Sequence, residues 1–196
     1  MDGYKDLIVG NGHVLDDPTS LGAGSTYAQS QQLFHTQPDG TFVDDLHSLG
    51  DLVYPRVTRG LAVGDYDNDG DLDIVMVGQN EPLQLFRNDG GNEHHWITFR
   101  LEGVRSNRDA VGALLTIHTA RRRQVQSIRG GSSYCSHSDR RVTFGLGDET
   151  RVSAVEVRWP SGKTQQWGAL TANAFYWIRE GGAPQLDPRV GGPARA

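Results

Sequence analysis

Over much of this chain apolar and polar residues alternate with a period of two, the pattern of half-buried β-strands. Along residues 95–101, Ile97, Phe99 and Leu101 fall on one face, and Trp96, Thr98 and Arg100 on the other. Leu115 and Ile117 begin a second strand and Val125 lies on a third, with Ala120-Arg121-Arg122-Arg123 as the turn between them. Val142 and Phe144 follow, then Val155, Val157 and Trp159. Pro160-Ser161-Gly162 makes a tight turn into residues 163–167, and residues 175–178 close the series. Before Asn92 the strands are shorter. Residues 6–9 go with Leu33-Phe34, residues 72–77 with residues 83–87, and residues 59–64 form a further strand. Nothing has the spacing of a long amphipathic helix. The pattern predicts an all-β chain that divides near Asn92. Residues 1–92 hold short-stranded units, and residues 93–180 an antiparallel β-sandwich or jelly-roll-like barrel. Residues 181–196, rich in Gly and Pro, are expected to be disordered.

The strand at 72–77 is entered through Asp65-Tyr66-Asp67-Asn68-Asp69-Gly70-Asp71-Leu72-Asp73. Carboxylates stand at positions 1, 3, 5, 7 and 9 of this nine-residue loop, with glycine at position 6. Carboxylates this crowded repel one another unless a cation lies among them. An all-oxygen ligand set suits a hard ion, Ca²⁺ above all. Glycine at position 6 allows the sharp turn that brings positions 1, 3 and 5 to one point. The expected ligands are the side chains of Asp65, Asp67, Asp69 and Asp73, with Asp71 contributing its carbonyl. The loop is not an EF-hand, because Met76 stands where the glutamate of position 12 belongs and flanking helices are missing. The alternative is an acidic surface turn that holds no metal.

Part of the pattern occurs earlier. Asp2-Gly3-Tyr4-Lys5-Asp6-Leu7-Ile8-Val9 matches the run from Asp69 to Met76 at an offset of 67 residues. Leu33-Phe34 matches Leu85-Phe86 at an offset of 52, so the first copy carries a longer loop, within residues 14–30. Positions 1 and 3 of the first loop do not exist, and Asp2 with Asp6 make a weak, incomplete metal site. A repeat of a few tens of residues built of short strands points to propeller blades or another β array.

These residues carry a family resemblance. Asp65 to Asp73 with Ile74-Val75, then Leu85-Phe86-Arg87-Asn88-Asp89-Gly90, resembles an FG-GAP/VCBS propeller repeat. Leu33-Phe34 through Asp39-Gly40-Thr41-Phe42 is similar to the second and third strands of that repeat. Ser106-Asn107-Arg108-Asp109-Ala110-Val111-Gly112-Ala113 resembles the signature of the ASPIC/UnbV domain. So do Arg129-Gly130-Gly131-Ser132, Ser138-Asp139-Arg140-Arg141, Phe144-Gly145-Leu146-Gly147 and Val157-Arg158-Trp159-Pro160-Ser161-Gly162. The order of repeats followed by this domain is similar to the cartilage acidic protein family. The resemblance implies a partial β-propeller of about two repeat units followed by the sandwich-like domain, as the C-terminal part of a longer protein.

Composition changes the picture little. No run of about 20 apolar residues is present, so no membrane-spanning helix is expected. The net charge of −5 comes partly from the acidic loop and speaks against nucleic acid as a partner. Cys135 is the single cysteine, so no internal disulfide forms. Its place beside Tyr134 suggests a small core residue. Ser132, Ser133, His137 and Asp139 are the residue types of a hydrolytic triad, but they lie close in sequence and no G-x-S-x-G elbow accompanies them. His94 and His95 are adjacent, so on a strand they point to opposite faces and cannot share an ion. Arg121 to Arg123 read as a solvated hairpin tip. Ser106, Asn107, Arg108 and Asp109 form a possible ligand-binding loop, the alternative being a structural Arg108–Asp109 pair.

Two functional readings stand. One is a non-catalytic calcium-binding recognition or adhesion module, extracellular, periplasmic or on the cell surface, with a protein or glycan ligand. The other is an accessory part of a larger enzyme of polysaccharide or natural-product metabolism. An open blade edge predicts self-association.

Overall fold

A computed structural model describes residues 1–190 apart from residues 21, 23 and 46. The described residues are all-β, with two single-turn 3₁₀ helices among them. The first unit is a three-stranded antiparallel meander of β1 (Leu7–Val9), β2 (Gln32–Thr36) and β3 (Phe42–Asp44). A 3₁₀ turn at Gly50–Val53 leads to the second unit. This is a meander of β4 (Thr58–Gly64), β5 (Asp73–Gly78) and β6 (Gln84–Phe86).

The repeat read from the sequence holds at the level of register. Leu7 pairs with Phe34 and Ile8 with Leu33, as Ile74 pairs with Phe86 and Val75 with Leu85. It also holds for side chains. Asp6 Oδ1 accepts the Thr36 N–H at 2.9 Å, and Asp73 Oδ1 accepts the Asn88 N–H at 3.0 Å. Asp2 Oδ1 accepts from Tyr4 N as Asp69 Oδ1 accepts from Asp71 N. Leu49, Leu52 and Met76 form a small core between the units, with Ile8, Leu33, Leu61, Ile74 and Phe86 against it. The described residues form two separate sheets here, with neither a closed barrel nor a ring.

After a 3₁₀ turn at Gly91–Glu93 come β7 (His95–Glu102), β8 (Leu114–His118), β9 (Arg123–Ser127), β10 (Val142–Gly147), β11 (Arg151–Val152), β12 (Ala154–Arg158), β13 (Thr164–Trp167), β14 (Leu170–Thr171), β15 (Ala174–Arg179) and β16 (Gln185–Leu186). They make two four-stranded sheets, in the orders β10-β7-β15-β16 and β13-β12-β8-β9, and a small β11-β14 pair. The alternating residues of the sequence supply one core. Ile97, Phe99 and Leu101 of β7, Phe144 of β10 and Ile178 of β15 share it with Leu115 and Ile117 of β8 and with Val155 and Val157 of β12.

The structure corrects four expectations. The domain is not purely antiparallel, because β7 and β15 pair parallel, Ile97 beside Ala174 and Leu101 beside Ile178. The whole second sheet lies between them in sequence, and that is the long crossover a parallel pair requires. The outer face of β7 is not open to water at Trp96 and Thr98. Both are buried, Trp96 against Phe175 and the acidic loop, and Thr98 bonded to the Thr143 hydroxyl. Residues 181–190 are not a loose tail. β16 adds to the edge of β15, and buried Asp187 takes a two-pronged hydrogen bond from Arg100 (2.6 and 2.8 Å). Residues 191–196 lie outside the described residues. Cys135 is exposed rather than in the core, at the tip of a turn closed by a Ser133–Ser136 bridge.

Candidate metal centre

The acidic loop joins β4 to β5, and left-handed backbone at Asn68 (φ +62°) and Gly70 (φ +101°) folds it back on itself. The return brings carboxylate oxygens of Asp65, Asp67 and Asp73 within 4.8 Å of one another. Two ligands on opposite sides of a Ca²⁺ ion, each about 2.4 Å away, are about 4.8 Å apart, so one ion fits among the three. Asp65 and Asp73 are buried and held by main-chain donors. Asp65 accepts the N–H groups of Asp69 (3.2 Å) and Gly70 (3.1 Å), and Asp73 those of Tyr66 (3.1 Å) and Asn88 (3.0 Å). Each oxygen keeps a free lone pair for a cation. Burial pushes the Asp65 carboxyl above its ordinary range, only partly offset by the Gly70 N–H and the Arg141 charge.

Asp69 and Asp71 sit differently from the expectation. Asp69 stands outside the three-oxygen cluster, its Oδ1 accepting the Asp71 N–H. The Asp71 side chain is fully buried, and neither carboxylate oxygen has a hydrogen-bond partner. Burial, then the charges of Asp69 and Asp73, the close approach of the Asp69 carboxyl, and last the charge of Asp65, push its pKa up to about 7. A buried carboxylate with no donor beside three others is costly without a compensating positive charge. This orphaned group and the oxygen cluster both fit a divalent cation. Such an ion would supply charge neutralisation and a joint between the turn and β5.

The first unit lacks the arrangement. Asp2 caps its own turn, and Asp6 is held by Thr36 and by the His35 ring (3.1 Å). Neither joins a cluster of three ligands among the described residues.

The second domain grips the loop from below, a feature with no local sequence signal. Arg141 donates to Asn68 Oδ1 (2.5 Å), to the Asp65 carbonyl and to Asp139 (2.5 Å), and its guanidinium lies 5.5 Å from the Phe175 ring centroid. Asn92 donates to the Asp69 carbonyl at 3.1 Å. A Cβ on Gly70 would fall inside the Trp96 indole. Residues 136–139 also line the outer edge of β4. Leu61 N donates to Ser136 Oγ, Val63 N to Ser138 Oγ, and Asp139 N to the Val63 carbonyl (3.2, 3.1 and 3.0 Å). That edge is therefore partnered within the chain.

The other candidates resolve into structural contacts. Ser132 bonds Ser138, His137 bonds the Ser138 carbonyl, and Asp139 pairs with Arg141, so no serine–histidine–carboxylate relay forms among them. His95 pairs with Asn173, while His94 lies 3.7 Å from Asp148. Arg122, in the expected hairpin tip, stacks 4.4 Å from the Tyr4 ring centroid. Within residues 106–109, Asp109 pairs with Arg140 at 2.7 Å and not with Arg108, while Asn107 makes two hydrogen bonds with the Val111 backbone. This loop hangs on Glu180, which the sequence reading passed over. One Glu180 oxygen accepts the N–H groups of Val104, Arg105 and Ser106 (2.8, 2.7 and 2.7 Å), and the other the Ser161 hydroxyl (2.5 Å). Burial would raise the Glu180 pKa, but these donors outweigh it and bring it to about 2. The available hint was a lone glutamate ending an apolar strand.

Residues 103–185 match the family described as ASPIC and UnbV. The chain is 32% identical over 88 residues to cartilage acidic protein 1 of Mus musculus, which is 43% of this chain and 14% of that protein. It is 47% identical over 55 residues to the Xenopus tropicalis protein of that name, and 43% identical over 54 residues to the Homo sapiens one. These two matches each cover 28% of this chain and 8% of the relative. The chain thus spans a small part of the length of these relatives. No helix among the described residues is long and apolar enough to cross a membrane.

Proposed function

We propose that this chain is a non-catalytic, calcium-stabilised recognition module that works outside the cytosol. The observation that carries this reading is the Asp65, Asp67 and Asp73 oxygen cluster beside the buried, unpartnered Asp71 carboxylate. The loop is clamped to a neighbouring domain and no acid–base pair accompanies the three carboxylates among the described residues, as suits a structural ion rather than a catalytic one. The matched relatives are named for cartilage and for acidity, which agrees with a calcium-rich setting. The two units read as FG-GAP/VCBS-type blades of a propeller, supported by their common register and the small core they share. A protein or glycan is the ligand class this reading implies.

The test is thermal unfolding in millimolar Ca²⁺ and in EDTA. An extracellular-type site with Kd of roughly 10⁻⁴ to 10⁻³ M contributes about 0.4 to 1.4 kcal/mol at millimolar calcium. For a chain of this size that is a rise in Tm of about 1 to 6 °C. Asp67→Ala abolishes the rise and Asp2→Ala leaves it intact. An equal response in both variants, or none in the wild type, removes the calcium reading.

A further inference from the structure

One end of the second domain is built from three connections: residues 103–113 between β7 and β8, residues 159–163 between β12 and β13, and residues 180–184 between β15 and β16. The buried Glu180 carboxylate ties them together. One oxygen takes the Val104, Arg105 and Ser106 N–H groups, and the other takes the Ser106 and Ser161 hydroxyls. Ser161 N also donates to Ser106 Oγ at 3.1 Å. Gly103 N donates to the Arg108 carbonyl at 3.0 Å, and a Cβ on Gly103 would lie 2.1 Å from the Asn107 carbonyl oxygen. Asn107 holds the Val111 backbone through its donor and its acceptor alike. The main chain of an exposed loop is thus fixed from several sides.

What this frame presents to solvent is positive charge. Arg105 and Arg108 are exposed, and neither forms an ion pair among the described residues. Lys163 in the neighbouring turn is exposed and equally without one. Its Nζ lies 3.9 Å from where a Cβ on Gly181 would stand, alongside the residue that follows Glu180. The carboxylates at this end are already engaged. Glu180 is buried among its donors, Asp109 takes Arg140 at 2.7 Å, and Glu102 is shared by Arg100 and Arg179. The chain as a whole carries −5, so this cationic end is a local arrangement and not a reflection of composition.

We propose that this end of the domain binds an acidic polysaccharide through Arg105, Arg108 and Lys163. A guanidinium fork pairs with two oxygens of a carboxylate or sulfate at once, and an ammonium meets them as a point charge. Glu180 orders the loop before any ligand arrives, so binding loses less conformational freedom. The chemistry favours a glycan over a protein. Of the large exposed apolar side chains only Val104 belongs to these connections, whereas a protein partner draws most of its binding energy from well-packed anchors at the centre of an interface. A chain of repeated anionic sugars needs only cations spaced along a surface. The inference rests on the recognition-module reading above and gives that module a ligand class and a place to bind it.

The test is calorimetric titration of the whole chain in millimolar Ca²⁺ with dextran sulfate, polygalacturonate, polyglutamate and neutral dextran. At least one acidic polysaccharide is expected to bind, more weakly as salt rises, and neutral dextran not at all. The two acidic polymers separate sulfate from carboxylate as the group recognised. Arg105→Gln and Arg108→Gln are each expected to weaken binding about tenfold. Arg121→Gln and Arg123→Gln, at the other end of β8, are expected to leave it unchanged. Glu180→Ala removes a negative charge, which alone would tighten anion binding, yet it is expected to weaken binding several-fold because the loop loses its anchor. Failure of both acidic polysaccharides to bind overturns the proposal. So do equal losses in the Arg121 and Arg123 variants, tighter binding by Glu180→Ala, or a tighter complex with polyglutamate, which would make the ligand an acidic peptide. Far-ultraviolet circular dichroism checks folding, and if Glu180→Ala unfolds the arginine variants decide alone. Tm in Ca²⁺ and in EDTA, taken on the same samples, keeps the two readings apart. A calcium response without polysaccharide binding overturns this inference only, and polysaccharide binding without a calcium response removes only the calcium reading.

Discussion

Gly70→Ala tests how the acidic loop is seated. Two separate penalties meet at this residue. Its φ of +101° lies where an L side chain is strained, at about 1 to 2 kcal/mol. A Cβ there would also fall within the Trp96 indole, which is buried and held against Phe175 with ring centroids 4.8 Å apart. Neither ring has open space to enter, so overpacking adds about 1 to 3 kcal/mol. The sum, about 2 to 5 kcal/mol, lowers Tm by roughly 4 to 20 °C for a chain of this size. Gly40→Ala separates the terms. Its φ is +85° but nothing lies within 4 Å of the added Cβ, so only the backbone penalty applies. Gly131→Ala, with open space and no left-handed backbone, is the neutral control. Thermal unfolding of the three variants is the assay, and the cost of Gly70→Ala should shrink in a Trp96→Ala background. If Gly70→Ala is no worse than Gly40→Ala, the indole does not seat the loop, and glycine serves there only to make the turn.

Other outcomes follow from the second domain. Glu180 has a folded-state pKa of about 2 against an ordinary 4.5, so its contribution is complete above pH 4.5 and is lost as pH falls toward 2. Glu180→Gln should therefore flatten the acid limb of a Tm-against-pH curve over that window; an unchanged limb refutes the role of the carboxylate. Asp187→Ala leaves Arg100 without its two-pronged partner and is expected to cost about 3 kcal/mol in a urea titration. A null result would return residues 181–190 to the status of a tail. Trp159→Ala empties the centre of the sandwich core and should cost about 3 to 5 kcal/mol, read from the same titration. Arg141→Gln removes the donors to Asn68 and the Asp65 carbonyl and should weaken the calcium-dependent rise in Tm; a full response would show that the loop holds its shape alone.

What could be read from the residues was whatever is encoded locally. Period-two alternation placed the strands, because successive side chains on a strand face opposite ways. The spacing of Asp65, Asp67 and Asp73 around a glycine placed the acidic loop, because a tight turn brings neighbours in sequence together in space. The repeat could be aligned from a handful of residues, and its register holds. Tertiary structure decided what depends on pairs far apart. The small core of Leu49, Leu52 and Met76 that joins the two units follows from their packing, which no single unit encodes. The parallel β7–β15 pair joins strands separated by an entire sheet. Arg141 reaches the acidic loop across 73 residues and Glu180 holds main-chain donors 74 to 76 residues away, contacts that leave no periodic trace. Asp71 shows the division most clearly. Its place in the acidic pattern was plain from the sequence, but only the packing around it buried the side chain and left both oxygens without a donor.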